Sequence, residues 1–189
     1  MKLLLKTLLI SIALLPAVAF SHGAPRLNVT EEITINAEPQ EVWNAIKDFD
    51  KLHTWLPAIK STAAQGGNEV GATRTLTTQT DSTIDETLKQ FDDEKMSLMY
   101  AITAMSTIGE VDDHGEMHDV PAVPVSKYKA WLSVQAVDGG SKVTWEAKFF
   151  RAYHGKGHPP VELDDKAGQA AITGIFKAGL ENVKSQLEK

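Results

Sequence analysis

Polar and apolar positions along this chain follow two periods. Val29, Glu31, Ile33 and Ile35 alternate with Thr30, Glu32 and Thr34, the period-two signature of a strand with one buried face. Immediately afterwards Val42, Trp43, Ile46 and Phe49 recur at helical spacing, with Pro39 in the first turn and Glu38 and Glu41 where acidic charge favours a helix N-terminus. A second short helix is predicted from Asp48 to Trp55, stopped by Pro57. From Ala58 the period returns to two and holds for most of the chain up to position 153.

Turn-forming clusters divide that stretch. Gly66-Gly67-Asn68 with Gly71, Thr80-Asp81-Ser82, Asp92-Asp93-Glu94 and Asp138-Gly139-Gly140 leave strands near 58–65, 71–79, 82–92, 95–104, 124–138 and 141–153. The final segment, Asp164 to Lys189, opens with an acidic turn and carries Ala167, Ala171, Ile172, Ile175, Phe176, Leu180, Val183 and Leu187 along one stripe, which predicts a long helix. Strand, two short helices, six strands and a long helix imply an α+β fold, a curved seven-stranded antiparallel sheet around a long C-terminal helix. Met105 to Val123 and His154 to Leu163 read as long loops, which are uncommon in compact domains unless functional or mobile.

Composition narrows the function classes. With 189 residues, 42% hydrophobic and 23% charged, the chain fits one globular domain rather than a disordered polymer. The net charge of −6 and the lack of any Lys/Arg run exclude nucleic acid as a partner, because phosphate neutralisation needs a basic footprint. No cysteine is present, which removes thiol catalysis, Cys-based zinc sites and disulfides together. At the N-terminus, Lys2 and Lys6 precede an apolar stretch from Thr7 to Phe20, with Pro16 near its end and the small residues Ala17, Ala19 and Ser21 following. That pattern reads as a secretory signal peptide over 1–21, shorter than the roughly 20 apolar residues of a membrane span. Cleavage after Ser21 or after Ala19 fits the small-residue rule. Loss of 1–21 removes two lysines and no acid, leaving a domain at 22–189 with a charge of −8. The expected product is periplasmic and free of any membrane anchor, with no cysteine to carry a lipid.

Three segments carry a resemblance: Ile33 to Trp43, Gly67 to Leu76, and Thr83 to Leu88 with Tyr100 after it. In this order they resemble the polyketide cyclase/lipid-transport superfamily with the Bet v 1-like helix-grip fold. The exported ending Ala171 to Lys184 further resembles the MxaD-like periplasmic accessory proteins of methanol dehydrogenase. That resemblance implies a cavity between sheet and terminal helix. It also implies methanol dehydrogenase and its cytochrome c as partners, with the chain assisting electron transfer between them.

Alternation indicates which polar groups face such a cavity. In the strand from Ser82, Glu86 shares the apolar register of Ile84 and Leu88, and Arg74 shares that of Leu76; the Thr80-Asp81 turn sets Arg74 and Glu86 nearly opposite each other. A buried carboxylate needs a partner, and Arg74 is the cation at hand. With Tyr100 the pair orients the polar end of a small apolar ligand, or else it is a structural ion pair. Trp55, Trp145, Phe149 and Phe176 are the expected apolar lining.

Trp131 stands apart. It shares a face with Lys127, Lys129, Ser133 and Gln135, opposite the apolar register, so Lys127, Lys129 and Trp131 form a candidate partner interface unless the long loop after Met105 covers the indole. His114 with His118 and His154 with His158 share an i, i+4 spacing in the two long loops, but Gly115, Gly155, Gly157 and Pro159 argue against the helix that would put each pair on one face, and no metal or cofactor is assigned. No catalytic motif is present. Cyclase-type acid or base chemistry at Glu86, Tyr100 or His53 is the enzymatic alternative to a carrier.

Overall fold

The period-two segments form strands because their β-branched and aromatic residues bury one face against the long helix. A computed structural model of the protein describes residues 24–155 and 158–189; the expected signal peptide lies outside them. The elements are β1 (Leu27–Ile35), α1 (Pro39–Ile46), a 3₁₀ helix (Phe49–Thr54), β2 (Ile59–Gln65), β3 (Thr73–Thr78), β4 (Thr83–Asp92) and β5 (Ser97–Met105). They continue with β6 (Thr107–Asp113), β7 (Glu116–Pro121), β8 (Val125–Val137), β9 (Gly140–Arg151) and α2 (Asp165–Leu187). Seven strands form one antiparallel sheet in the order β1-β9-β8-β5-β4-β3-β2.

Pro39 starts α1, where its missing N–H costs nothing, and Asp164 caps α2 by accepting from the Ala167 N–H at 2.7 Å. Helix α2 buries Ile172, Phe176, Leu180 and Val183 against β1 and β9. Gly179 brings it close, since a Cβ there would lie 2.9 Å from a Leu56 methyl and 3.1 Å from the Trp145 ring. Trp43 is fully buried and satisfies its indole N–H on Asp93 at 2.7 Å.

One sequence expectation is corrected. The stretch from Met105 to Val123 is not a loop but contains the hairpin β6-β7, a separate two-stranded sheet. Its turn, His114-Gly115, has both residues left-handed (φ 55° and 89°), the geometry of a tight two-residue hairpin turn. Alternation failed to signal it because burial does not sort its residues: Ile108 and Met117 are exposed together with Glu110, Asp112, Glu116 and Asp119, while Asp113 and His118 turn toward the body. The stretch from His154 to Leu163 contains neither helix nor strand among its described residues.

Candidate functional site: a cavity under the terminal helix

Strands β3 and β4 pair so that Arg74 stands directly opposite Glu86. Arg74 Nε donates to Glu86 Oε2 at 2.6 Å and Nη1 donates to the Phe49 carbonyl at 2.9 Å. The guanidinium lies 4.0 Å from the Phe49 ring centre and 5.0 Å from that of Tyr100, so cation–π contact adds to the pair. Both side chains are about 5% exposed. Burial pushes the Glu86 carboxyl above its usual range, and the Arg74 charge and hydrogen bond only partly draw it back.

Tyr100 comes from β5, opposite Leu88 and on the same inward face as Glu86. Its oxygen accepts from Trp145 Nε1 at 3.1 Å and is hydrogen-bonded to the Tyr128 hydroxyl. Burial, and then the neighbouring Glu86 charge, raises the Tyr100 phenol; burial, and then Tyr100 itself, raises that of Tyr128. Both therefore stay protonated and can hydrogen-bond without ionising.

Glu86, Tyr100 and Tyr128 close the polar end of a cavity of about 290 Å³. Its walls are Leu52, Leu56, Leu76, Ile84, Ile102 and Ile175, with Trp145 stacked on Phe176 at 4.1 Å and 11°. Thr78, Gln79, Thr80 and Ser82 add polar groups from the β3-β4 turn. The arrangement can bury an apolar body and hydrogen-bond one polar group.

Of the seven expected ligand residues, Glu86, Tyr100, Trp145 and Phe176 line this cavity. Trp55 and Arg74 do not; they border a void of about 10 Å³ behind Tyr100. Arg74 is drawn away by the Phe49 carbonyl, while Trp55 lies against Trp145 (5.2 Å between rings), its carbonyl held by Asn182 of α2. Phe149 is likewise behind the lining, stacked on Tyr128 at 6.2 Å and covered by the start of α2. Sequence reasoning missed the polar lining groups Thr78, Gln79, Thr80 and Ser82 of the β3-β4 turn, and it missed Tyr128. Tyr128 stood in an apolar register, and its signal was an inward hydroxyl that burial obliges to find a partner.

On the opposite face of the sheet Lys127 and Lys129 are exposed and Trp131 is half-buried, with Lys148 Nζ 5.2 Å from the Trp131 ring centre. The hairpin makes its contacts elsewhere: Asp113 accepts from the Tyr153 hydroxyl at 2.7 Å and His118 meets the Tyr153 ring edge-on at 5.1 Å. His114 is 99% exposed at the hairpin tip, and its Nε2 and that of His118 stand 3.8 and 3.9 Å from the Asp113 carboxylate. His154, His158 and His53 are exposed. Among the described residues no group of three or more His, Asp or Glu side chains is arranged to hold a metal.

Comparison with solved structures places this geometry among known folds. XoxI from Bacillus cereus is 25% identical, covers 86% of this chain and 96% of its own, and superposes with a TM-score of 0.66. An uncharacterized protein from Bacillus thuringiensis is 24% identical over 86% of this chain and all of its own, with a TM-score of 0.65. Ara h 8.0201 shares the fold at 20% identity, 86% and 98% coverage and a TM-score of 0.61. No curated protein sequence matches. The family model described as polyketide cyclase / dehydrase and lipid transport matches residues 26–188, nearly the whole described chain, and the protein belongs to that family.

Proposed function

We propose that the protein is a carrier that takes up a small, neutral, mainly apolar molecule bearing one hydroxyl or carbonyl group. The observation that carries this reading is the cavity of about 290 Å³ whose apolar walls end at Glu86 and Tyr100. Among the described residues Glu86 is the only charged one lining it, and Arg74 already pairs with it. A charged ligand would therefore be buried without a partner, which costs several kcal/mol or more. The family's description names both cyclase/dehydrase chemistry and lipid transport, so it accommodates a carrier and an enzyme alike.

Native mass spectrometry of the purified protein tests the reading, followed by titration of Trp fluorescence with neutral long-chain alcohols and with the matching carboxylates. The alcohols are expected to bind and the carboxylates to bind more weakly at neutral pH. Removing the Tyr100 hydroxyl in Tyr100→Phe should weaken alcohol binding by roughly 2- to 12-fold, the equivalent of one hydrogen bond of about 0.5–1.5 kcal/mol. Equal binding of both classes, or of neither, rejects the proposal. Turnover of a polyketide-like substrate that falls in Glu86→Gln with folding intact would move the reading to catalysis.

The finer reading gives the carrier a setting. The signal-like start and the MxaD-like ending support export to the periplasm and an accessory role in methanol oxidation, assisting methanol dehydrogenase in passing electrons to its cytochrome c. Methanol-dependent cytochrome reduction, measured with and without the protein, is expected to be faster with it. An unchanged rate removes that role and leaves the carrier reading in place.

A further inference from the structure

We propose that the outer face of the sheet, centred on Arg26, Lys127, Lys129 and Lys148 with Phe150 and Trp131, is a docking surface for an acidic patch of a partner protein. The argument is independent of the cavity and of any named partner.

The first observation is where the cations sit. Arg26, just before β1, and Lys127 of β8 approach the Phe150 ring at 5.8 and 5.7 Å, and Lys148 approaches the Trp131 ring. Four cations and two aromatic rings thus share one face of three adjacent strands in a chain whose net charge is −6. Among the described residues Arg26, Lys127 and Lys129 take part in no ion pair; Lys148 has Glu146 at 2.9 Å. Lys129 and Lys148 are also direct cross-strand partners, and like charges facing each other across a ladder destabilise a sheet.

The second observation is the backbone at Lys127. Lys127 and Tyr128 together oppose the single residue Phe149, a β-bulge, and Lys127 has φ +50°. The core requires the bulge, because it shifts the alternation so that Val125 and Tyr128 both face inward. It does not require a lysine there. Glycine or asparagine adopts the left-handed conformation at lower cost, so the fold carries local strain together with a cation aimed outward.

The chemistry of the patch selects its partner. Its cations rest on aromatic rings instead of converging on one point as the donors of a small-anion site do, and arginine and aromatic rings are enriched where protein surfaces meet. Nucleic acid and anionic membrane are polyanions that the excess acid of the rest of the chain repels at longer range. An acidic protein surface of limited extent meets Arg26, Lys127 and Lys129, with Glu146 beside Lys148 as the one carboxylate among the described residues paired to a cation of the patch.

The test uses the purified protein and a fluorescein-labelled Glu/Leu peptide, with a Lys/Leu peptide of equal length and phosphatidylglycerol vesicles as controls. The acidic peptide should bind in a salt-sensitive manner, and Lys127→Glu/Lys129→Glu should weaken it by roughly tenfold or more. Cavity occupancy, read with an apolar fluorescent probe, should be the same in both proteins, which separates failure of this surface from failure of the carrier reading. Lys127→Gly provides the structural control. Its unfolding midpoint should equal or exceed that of the parent while its affinity for the peptide falls. Failure of the acidic peptide to bind, equal binding by the charge-reversed protein, or binding to vesicles but not to peptide overturns the proposal. So does a Lys127→Gly protein that loses stability but keeps its affinity.

Discussion

The two faces of the sheet handle positive charge in opposite ways. On the inner face Arg74 is about 5% exposed and pinned by Glu86, by the Phe49 carbonyl and by two aromatic rings. On the outer face Lys127 has a single aromatic ring beneath it and no carboxylate. Burial accounts for the difference: a cation taken out of water must be neutralised where it lies, whereas one left in water can keep its charge available to another molecule. Inside, charge is structural furniture of the cavity; outside, it remains open to a partner.

The largest effect that would break this contrast comes from the inner pair. Arg74→Ala strands a buried carboxylate and should cost about 3–5 kcal/mol of unfolding free energy in urea, whereas the paired apolar replacement Arg74→Met/Glu86→Leu should be close to neutral. A small loss in Arg74→Ala would mean that the inner charge is as wet as the outer.

Gly179→Ala is next. A methyl placed 2.9 Å from Leu56 and 3.1 Å from Trp145 overpacks the helix–sheet contact. The overpacking, about 1–3 kcal/mol, should outweigh a helix-propensity gain of about 1 kcal/mol, and a lowered thermal midpoint would register the net loss.

The pH dependence of stability sharpens the same contrast. Because the folded carboxyl of Glu86 is raised by burial, its contribution is full below its ordinary value of 4.5 and is lost as pH climbs through its folded value. Asp93 behaves in the opposite sense. Its carboxyl is lowered, first by the Trp43 indole and then by Lys47, so its contribution is present above 3.8 and is lost as pH falls. Denaturation midpoints followed against pH should flatten above 4.5 in Glu86→Gln, and at the acid end in Asp93→Asn. The smallest effect is on the outer face, where Lys127→Gly should stabilise the fold by about 1 kcal/mol through relief of its left-handed backbone.

Much of this was legible because period two is a direct consequence of a half-buried sheet. Ile84, Glu86 and Leu88 announced one face, the Thr80-Asp81 turn set the register, and Arg74 therefore had to meet Glu86. The hairpin β6-β7 was illegible for the complementary reason: with little buried on either side, its residues had no pattern to keep. Arg74, Trp55 and Phe149 were correctly turned inward, yet alternation names a face and not a depth. Whether an inward side chain lines a cavity or stands behind its wall depends on what approaches from the other side.

What the sequence determined by itself was the order of the helices and of the seven strands of the main sheet, the facing of those strands, and the pairing of Arg74 with Glu86, since all three follow from local periodicity and turn chemistry. Tertiary structure decided the rest. The approach of α2 at Gly179 determined which aromatics touch the cavity, the bulge at Lys127 turned Val125 inward along with Tyr128, and strand neighbours far apart in the chain gathered Arg26, Lys127, Lys129 and Lys148 on one outer face. Those are contacts between distant segments, and a pattern with a period of two or of 3.6 residues carries no information about them.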